Sequence, residues 1–115
     1  MVVRMATMSD GDVDAIFHAL ADATRRDIVA RVIEREQSVS SLAAAYAMSF
    51  AAVQKHVAVL ERASLVVKQR RGREQIVHAD PATLERARLL LERLETLWRH
   101  RAAAIDRVLA EDPET

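Results

Sequence analysis

Residues 48–66 read MSFAAVQKHVAVLERASLV. Apolar side chains recur at Phe50, Val53, Val57 and Leu60, the three-four spacing of one helical face. Ser49, just before the first of them, is a good N-cap. The opposite side carries Ala51, Gln54, Lys55 and Ala58 where an ordinary surface helix alternates Glu with Lys. The spacing predicts a helix over 49–62 with small residues at its tip and a Gln-Lys pair on its open face.

On the N-terminal side, SVSSLAAAYAMS (residues 38–49) predicts a short helix opened by Ser38 or Ser40, with Leu42, Ala45 and Tyr46 forming its buried side. A turn at Ala47-Met48 then leads to Ser49. Two short helices joined by a few residues form the helix-turn-helix pattern. On the C-terminal side the period changes from helical to alternating. LVVKQRR and EQIVHA flank Gly72 and predict a β-hairpin over 66–78, with Gly72 supplying the positive φ of a tight turn. Its tip carries Arg70, Arg71 and Arg73.

Further out, Ser9 to Asp12 precede a helix with Val13, Ile16, Phe17 and Leu20 on one stripe. Thr24 is expected to cap the next helix, with Asp27 three residues on. In that helix Ile28, Val29, Val32 and Ile33 are expected to face inward. Asp80-Pro81 opens a last helix reaching about Ala110, with Pro in the tolerated first turn. Leu84, Leu91, Leu94, Trp98 and Ile105 follow one ridge of it, and Leu90, Leu97, Ala104 and Leu109 follow a second. That apolar width exceeds what one small core uses, which predicts packing against a partner chain. The expected organisation is a flexible segment over 1–11, one mainly α domain with a small β-hairpin over 12–110, and a flexible tail over 111–115.

Composition narrows the function classes. The 115 residues contain no cysteine, which excludes disulfides and thiolate ligands. No apolar signal region opens the chain and no run is long enough to span a bilayer, so a cytoplasmic protein without a membrane partner is expected. Net charge is zero, but it is unevenly spread. Residues 49–78 hold six basic side chains against two acidic ones, while 1–48 hold five against seven and 79–115 six against eight. A local basic zone between acidic flanks is what phosphate contact needs. No nucleophile with a positioned base, carboxylate pair or Gly-rich phosphate loop appears, so an enzyme is not expected.

The order helix, helix, short helix, capped helix, basic hairpin, long helix is that of a winged helix-turn-helix. VDAIFHALADATRRDIVARV, SVSSLA and MSFAAVQKHVAVLERASLVVKQRRGREQIVHADP together resemble the ArsR/SmtB family of bacterial transcriptional repressors, from about Asp14 to Trp98. The resemblance implies a homodimer on a palindromic operator of double-stranded DNA near its own promoter, released by a small-molecule or protein effector. It places base contacts at Ala51, Gln54 and Lys55, and His56 matches the family's histidine in K-H-V.

A recognition helix enters the major groove by its N-terminal end, where small residues permit close approach. Ser49 and Ala51 suit that, and Phe50 suits a thymine methyl or the core. Gln54 can pair with adenine, and Lys55 can reach guanine or phosphate. His56 is open to either a phosphate contact or a structural role. Arg70, Arg71 and Arg73 suit phosphate or the minor groove, although a charged tip also protects an edge strand. The dimer interface is expected at Phe17, Leu20, Leu84, Leu91, Leu94, Trp98 and Ile105.

Many members of the family sense metal. The positions of its thiolate site here are Ser40, Ser41, Leu42 and Ala43, and the last helix has only His100, between Arg99 and Arg101. No metal or cofactor is therefore expected. The competing reading is a winged-helix dimer serving as a protein-interaction module without sequence-specific DNA binding. One departure from the family stands at Ser64, where glycine is usual after the recognition helix; it predicts a serine at positive φ.

Overall fold

Four short polar side chains decide where the first four helices begin. The structure, a computed structural model, describes residues 9–111. Ser9 caps α1 (Asp10–Leu20): its hydroxyl accepts from the Asp12 N–H at 3.0 Å, and the Asp12 carboxylate accepts from the Ser9 N–H at 3.3 Å. Ser38 caps α3 (Val39–Ala44) by accepting from the Ser41 N–H, and Ser49 caps α4 (Phe50–Arg62) by accepting from the Ala52 N–H. The cap of α2 (Ala23–Glu34) is Asp22, which accepts from the Arg25 N–H at 3.0 Å. Thr24 therefore lies inside the helix. Its expected partner Asp27 instead binds Arg31 and Tyr46.

The expected hairpin forms, from β2 (Val66–Arg71) and β3 (Glu74–Ala79), paired antiparallel with Lys68 opposite Val77 and Arg71 opposite Glu74. Gly72, at φ 61°, opens the two-residue turn. A third strand, β1 (Gln37–Ser38), was not foreseen. It pairs with the far edge of β3, giving the order β1-β3-β2. Two residues are too few to show alternation, and Ser38 already reads as a helix cap.

The core lies between α1–α4 and the sheet. Ile16, Ile28, Leu42, Val53, Val57, Leu60, Leu65, Val66 and Val77 are buried. Ile33 and Ala45, expected inside, are exposed. Ile33 stands about 40° beyond Val29, past the outer edge of the Ile28-Val32-Val29 stripe. The end of α4 is closed by a Schellman motif. The Leu65 N–H donates to the Leu60 carbonyl and the Ser64 N–H to the Glu61 carbonyl, both at 2.9 Å, with Ser64 at φ 61°. The positive φ expected at Ser64 is therefore present.

The chain divides into two compact units, one ending at Leu84 and the other starting at Glu85. The second consists of the greater part of α5 (Pro81–Glu111), a helix of 31 residues and so about 46 Å long. Along it Leu91, Leu94, Leu97, Trp98, Ile105, Val108 and Leu109 are exposed. Ion pairs one turn apart, Arg88 with Glu85 and Arg99 with Glu95, line its polar positions. Of the termini expected to be flexible, 1–8 and 112–115 lie outside the described residues. Asp10 and Gly11 belong to α1, and Glu111 ends α5. No helix among the described residues is long and apolar enough to cross a membrane.

Candidate nucleic-acid interface

The tip of α4 is held from behind and open in front. Val53, Val57 and Leu60 are fully buried and fix the helix to the core. The Ser49 hydroxyl is used in capping, which leaves the first backbone N–H groups at the positive end of the helix dipole. Ala51 is exposed, and Phe50 stands 47% exposed rather than packed inward. Gln54 and Lys55 are exposed and make no hydrogen bond or ion pair with the described residues. The face therefore offers one amide and one ammonium with their full bonding capacity unused.

His56, the next residue, is different. It is half-buried, and its Nδ1 lies 3.3 Å from Nη1 of Arg25 on α2. Arg25 also donates from Nε to the Ala19 carbonyl at 2.8 Å and from Nη2 to the His18 carbonyl at 3.2 Å, covering the open carbonyls that end α1. Its side chain is only 13% exposed, and Asp22 lies 4.0 Å away. The backbone N–H of Arg25, followed by the guanidinium charge, holds the Asp22 carboxyl below its ordinary value against the opposing effect of burial.

The three wing arginines are not equivalent. Arg73 makes no hydrogen bond or ion pair with the described residues, whereas Arg70 donates from Nε to the Gly72 carbonyl at 3.1 Å. Arg71 is engaged with Glu36, from Nη1 to Oε2 and from Nη2 to Oε1, the latter at 3.1 Å. Its hydrogen bond holds the Glu36 carboxyl below the usual carboxylate range. Glu36 also meets His78 Nδ1 at 3.1 Å, while His78 Nε2 lies 2.9 Å from Gln69 Oε1. One of the three wing arginines is therefore already held by a carboxylate. Glu36 is 35 residues away in sequence and reaches the wing through β1, which could not be read from local pattern. Lys68 is likewise 3.7 Å from Glu61 at the far end of α4.

The connection between α3 and α4 has its own clasp. Tyr46 donates to Asp27 Oδ2 at 2.5 Å, and Arg31 donates to the same oxygen at 2.8 Å. The Arg31 guanidinium lies 5.3 Å from the Tyr46 ring centroid, a cation–π contact. Burial, then the hydrogen bond to Asp27, push the Tyr46 hydroxyl up to about 12. The Tyr46 hydroxyl, followed by Arg31, holds the Asp27 carboxyl down. Nearby, Arg31, Glu34, Arg35, Glu36, Ser38 and Glu74 line an open polar depression of about 480 Å³.

The residues expected at a dimer interface fall into both units. In the first, Phe17 is 36% exposed on α1, and Leu20 and Leu84 are half-buried. In the second, Leu91, Leu94, Trp98 and Ile105 are exposed on α5. Among the described residues no three His, Cys, Asp or Glu side chains are grouped to hold a metal ion.

Comparison with known proteins agrees with this architecture. No family model matches the chain. The HTH-type transcriptional regulator Rv2034 of Mycobacterium tuberculosis is 37% identical over 83 residues, covering 72% of this chain and 78% of that protein. An ArsR-like transcriptional regulator from Rhodococcus sp. RHA1 superposes with a TM-score of 0.76 at 35% identity, over 85% of this chain and 92% of the other. A homodimeric winged helix-turn-helix DNA-binding domain from Mycobacterium bovis, 23% identical, shares the fold with a TM-score of 0.60 over 91% of this chain and 83% of its own. The chain belongs to the ArsR family of HTH-type transcriptional regulators.

Proposed function

We propose that this regulator is a homodimer that represses transcription, its own included, by binding a palindromic operator in the cytoplasm. The α4 tip reads bases in the major groove and the wing contacts the backbone. The observation that carries the reading is the Gln54-Lys55 pair, without a partner among the described residues, on a capped helix whose opposite side is locked in the core. Gln54 has the donor and acceptor geometry for adenine N6 and N7, and Lys55 the charge for guanine O6 and N7 or phosphate. Phe50 supplies apolar contact for a thymine methyl, and Ala51 keeps the approach close.

For the dimer, the exposed leucines and Trp98 of α5, with Phe17 and Leu20 of α1, supply apolar surface that a single copy leaves in water. Such a surface suits self-association, and the M. bovis domain of the same fold is described as homodimeric. Release of the operator is assigned to a small-molecule or protein effector rather than to a metal.

The test is fluorescence anisotropy with DNA from upstream of the gene, against unrelated DNA, at two salt concentrations. The reading expects tight, salt-dependent binding to the upstream DNA and weaker binding to the unrelated sequence. Equal affinity for both, or none for either, supports instead a winged-helix dimer that works as a protein-interaction module. Sedimentation of Leu94→Glu should show monomer where the wild type is a dimer.

A further inference from the structure

We propose that Arg25 is a positioning residue for DNA recognition: it fixes the tautomer of His56 so that the ring presents Nε2–H to a DNA phosphate. The inference rests on the DNA-reading assignment above. It is carried by the geometry around one guanidinium on α2.

An arginine side chain is protonated under all ordinary conditions and has only donors. The ring atom that it meets must therefore accept. Nη1 of Arg25 lies 3.3 Å from His56 Nδ1, so Nδ1 carries the lone pair and the proton of the neutral ring sits on Nε2. Arg25 cannot swing away to relieve a wrong tautomer. Its Nε and Nη2 are spent on the Ala19 and His18 carbonyls, and the side chain is 13% exposed. The guanidinium is thus a rigid peg between the end of α1, the start of α2 and the middle of α4.

The other nitrogen of the ring, Nε2, has no hydrogen-bond partner among the described residues, and the ring is half-exposed. It stands about 100° round α4 from Lys55 and about 200° from Gln54, off the exposed reading face. A neutral donor there complements a phosphate oxygen rather than a base edge. The alternative tautomer, with the proton on Nδ1, sets N–H against N–H at Arg25 and offers the phosphate a lone pair. An arginine 31 residues from His56 in sequence thus decides which end of its ring is a donor.

The test combines ring ¹⁵N NMR of the free protein with anisotropy on the upstream DNA. In the wild type the neutral His56 ring should show the Nε2–H tautomer, and Arg25→Met should mix the two tautomers. Arg25→Met should weaken operator binding about three- to tenfold, the range for one such hydrogen bond. A glutamine amide nitrogen can stand in for Nε2–H without a tautomer to choose. In a His56→Gln background, Arg25→Met should therefore cost less than about twofold, a non-additive cycle.

An Nδ1–H tautomer in the wild type overturns the proposal without any variant, and so does an Arg25→Met penalty that persists in His56→Gln. If Arg25→Met does not fold, the same cycle is run with Arg25→Gln, whose amide can accept as well as donate and so no longer forces Nδ1 to accept, with the same two outcomes. Wild-type protein that ignores the upstream DNA refutes the DNA-reading assignment itself. Wild-type binding that is indifferent to Arg25 refutes the positioning role alone.

Discussion

The α4 tip and the wing tip are both basic, but they spend their charge differently. On α4, Gln54 and Lys55 have no partner among the described residues, and the helix behind them is immobilised by Val53, Val57 and Leu60. On the wing, Arg71 is already bound by Glu36, Arg70 leans on the Gly72 carbonyl, and only Arg73 of the three has no partner among the described residues. A ligand therefore meets a preorganised, unoccupied surface at α4, and at the wing a surface where it must compete with the protein's own carboxylate. Counting arginines in the sequence overstates the wing and understates the helix.

The largest expected effect separates the two regions by specificity. Gln54→Ala with Lys55→Ala should weaken binding to the upstream DNA about a hundredfold, at 1–3 kcal/mol for each good base contact. Binding to unrelated DNA should change far less, because most of the phosphate contacts remain. Equal losses on both DNAs would mean that α4 only holds the backbone.

Next come the wing arginines. Arg73→Ala should weaken binding several-fold on every sequence and reduce the salt slope by about one, the loss of one phosphate contact. Arg71→Ala should cost less, since Arg71 must first leave Glu36. Glu36→Gln should strengthen binding by freeing it. Identical effects of Arg71→Ala and Arg73→Ala, in a salt titration, would erase the distinction drawn between them.

A smaller change bears on the support behind α4. Ser64 pays the left-handed penalty at φ 61°, so Ser64→Gly should stabilise the protein by about 1 kcal/mol, read as a rise in Tm. DNA affinity should be unaltered. The smallest is Tyr46→Phe, which should cost about 0.5 kcal/mol because the Asp27 partner is half exposed. Its pH dependence has a definite sign. Asp27 is held below its ordinary 3.8, so its share of stability is complete above that value and lost as pH falls through the lowered one. Tyr46 is pushed up to about 12, so its share is complete below its ordinary 10 and lost as pH rises through about 12. The gap between wild type and Tyr46→Phe in a denaturant titration should be flat between those limits and close outside them.

What could be read from the sequence was local. The α4 helix, its Ser49 cap, the hairpin about Gly72 and the left-handed Ser64 all show themselves within a few residues, through periodicity, capping chemistry or a missing glycine. What escaped was made by contact at a distance. Glu36 with Arg71 and Arg25 with His56 join residues 35 and 31 positions apart, and no periodicity records such a pair. The two-residue β1 exists only because β3 lies beside it. Asp22 displaced Thr24 as the cap because both are good capping residues two positions apart, and sequence preference does not rank them.

Ser38 has a consequence for how such a protein can change over generations. Its backbone stands opposite Ile76 in the sheet while its hydroxyl starts α3. One residue gained or lost at this junction would shift the ladder by a step or leave the helix uncapped, so its length is fixed. The Gly72 turn has nothing within 4 Å of where a side chain would stand. Lineages of this protein should therefore vary in length at the tip of the wing and not at the junction of β1 with α3.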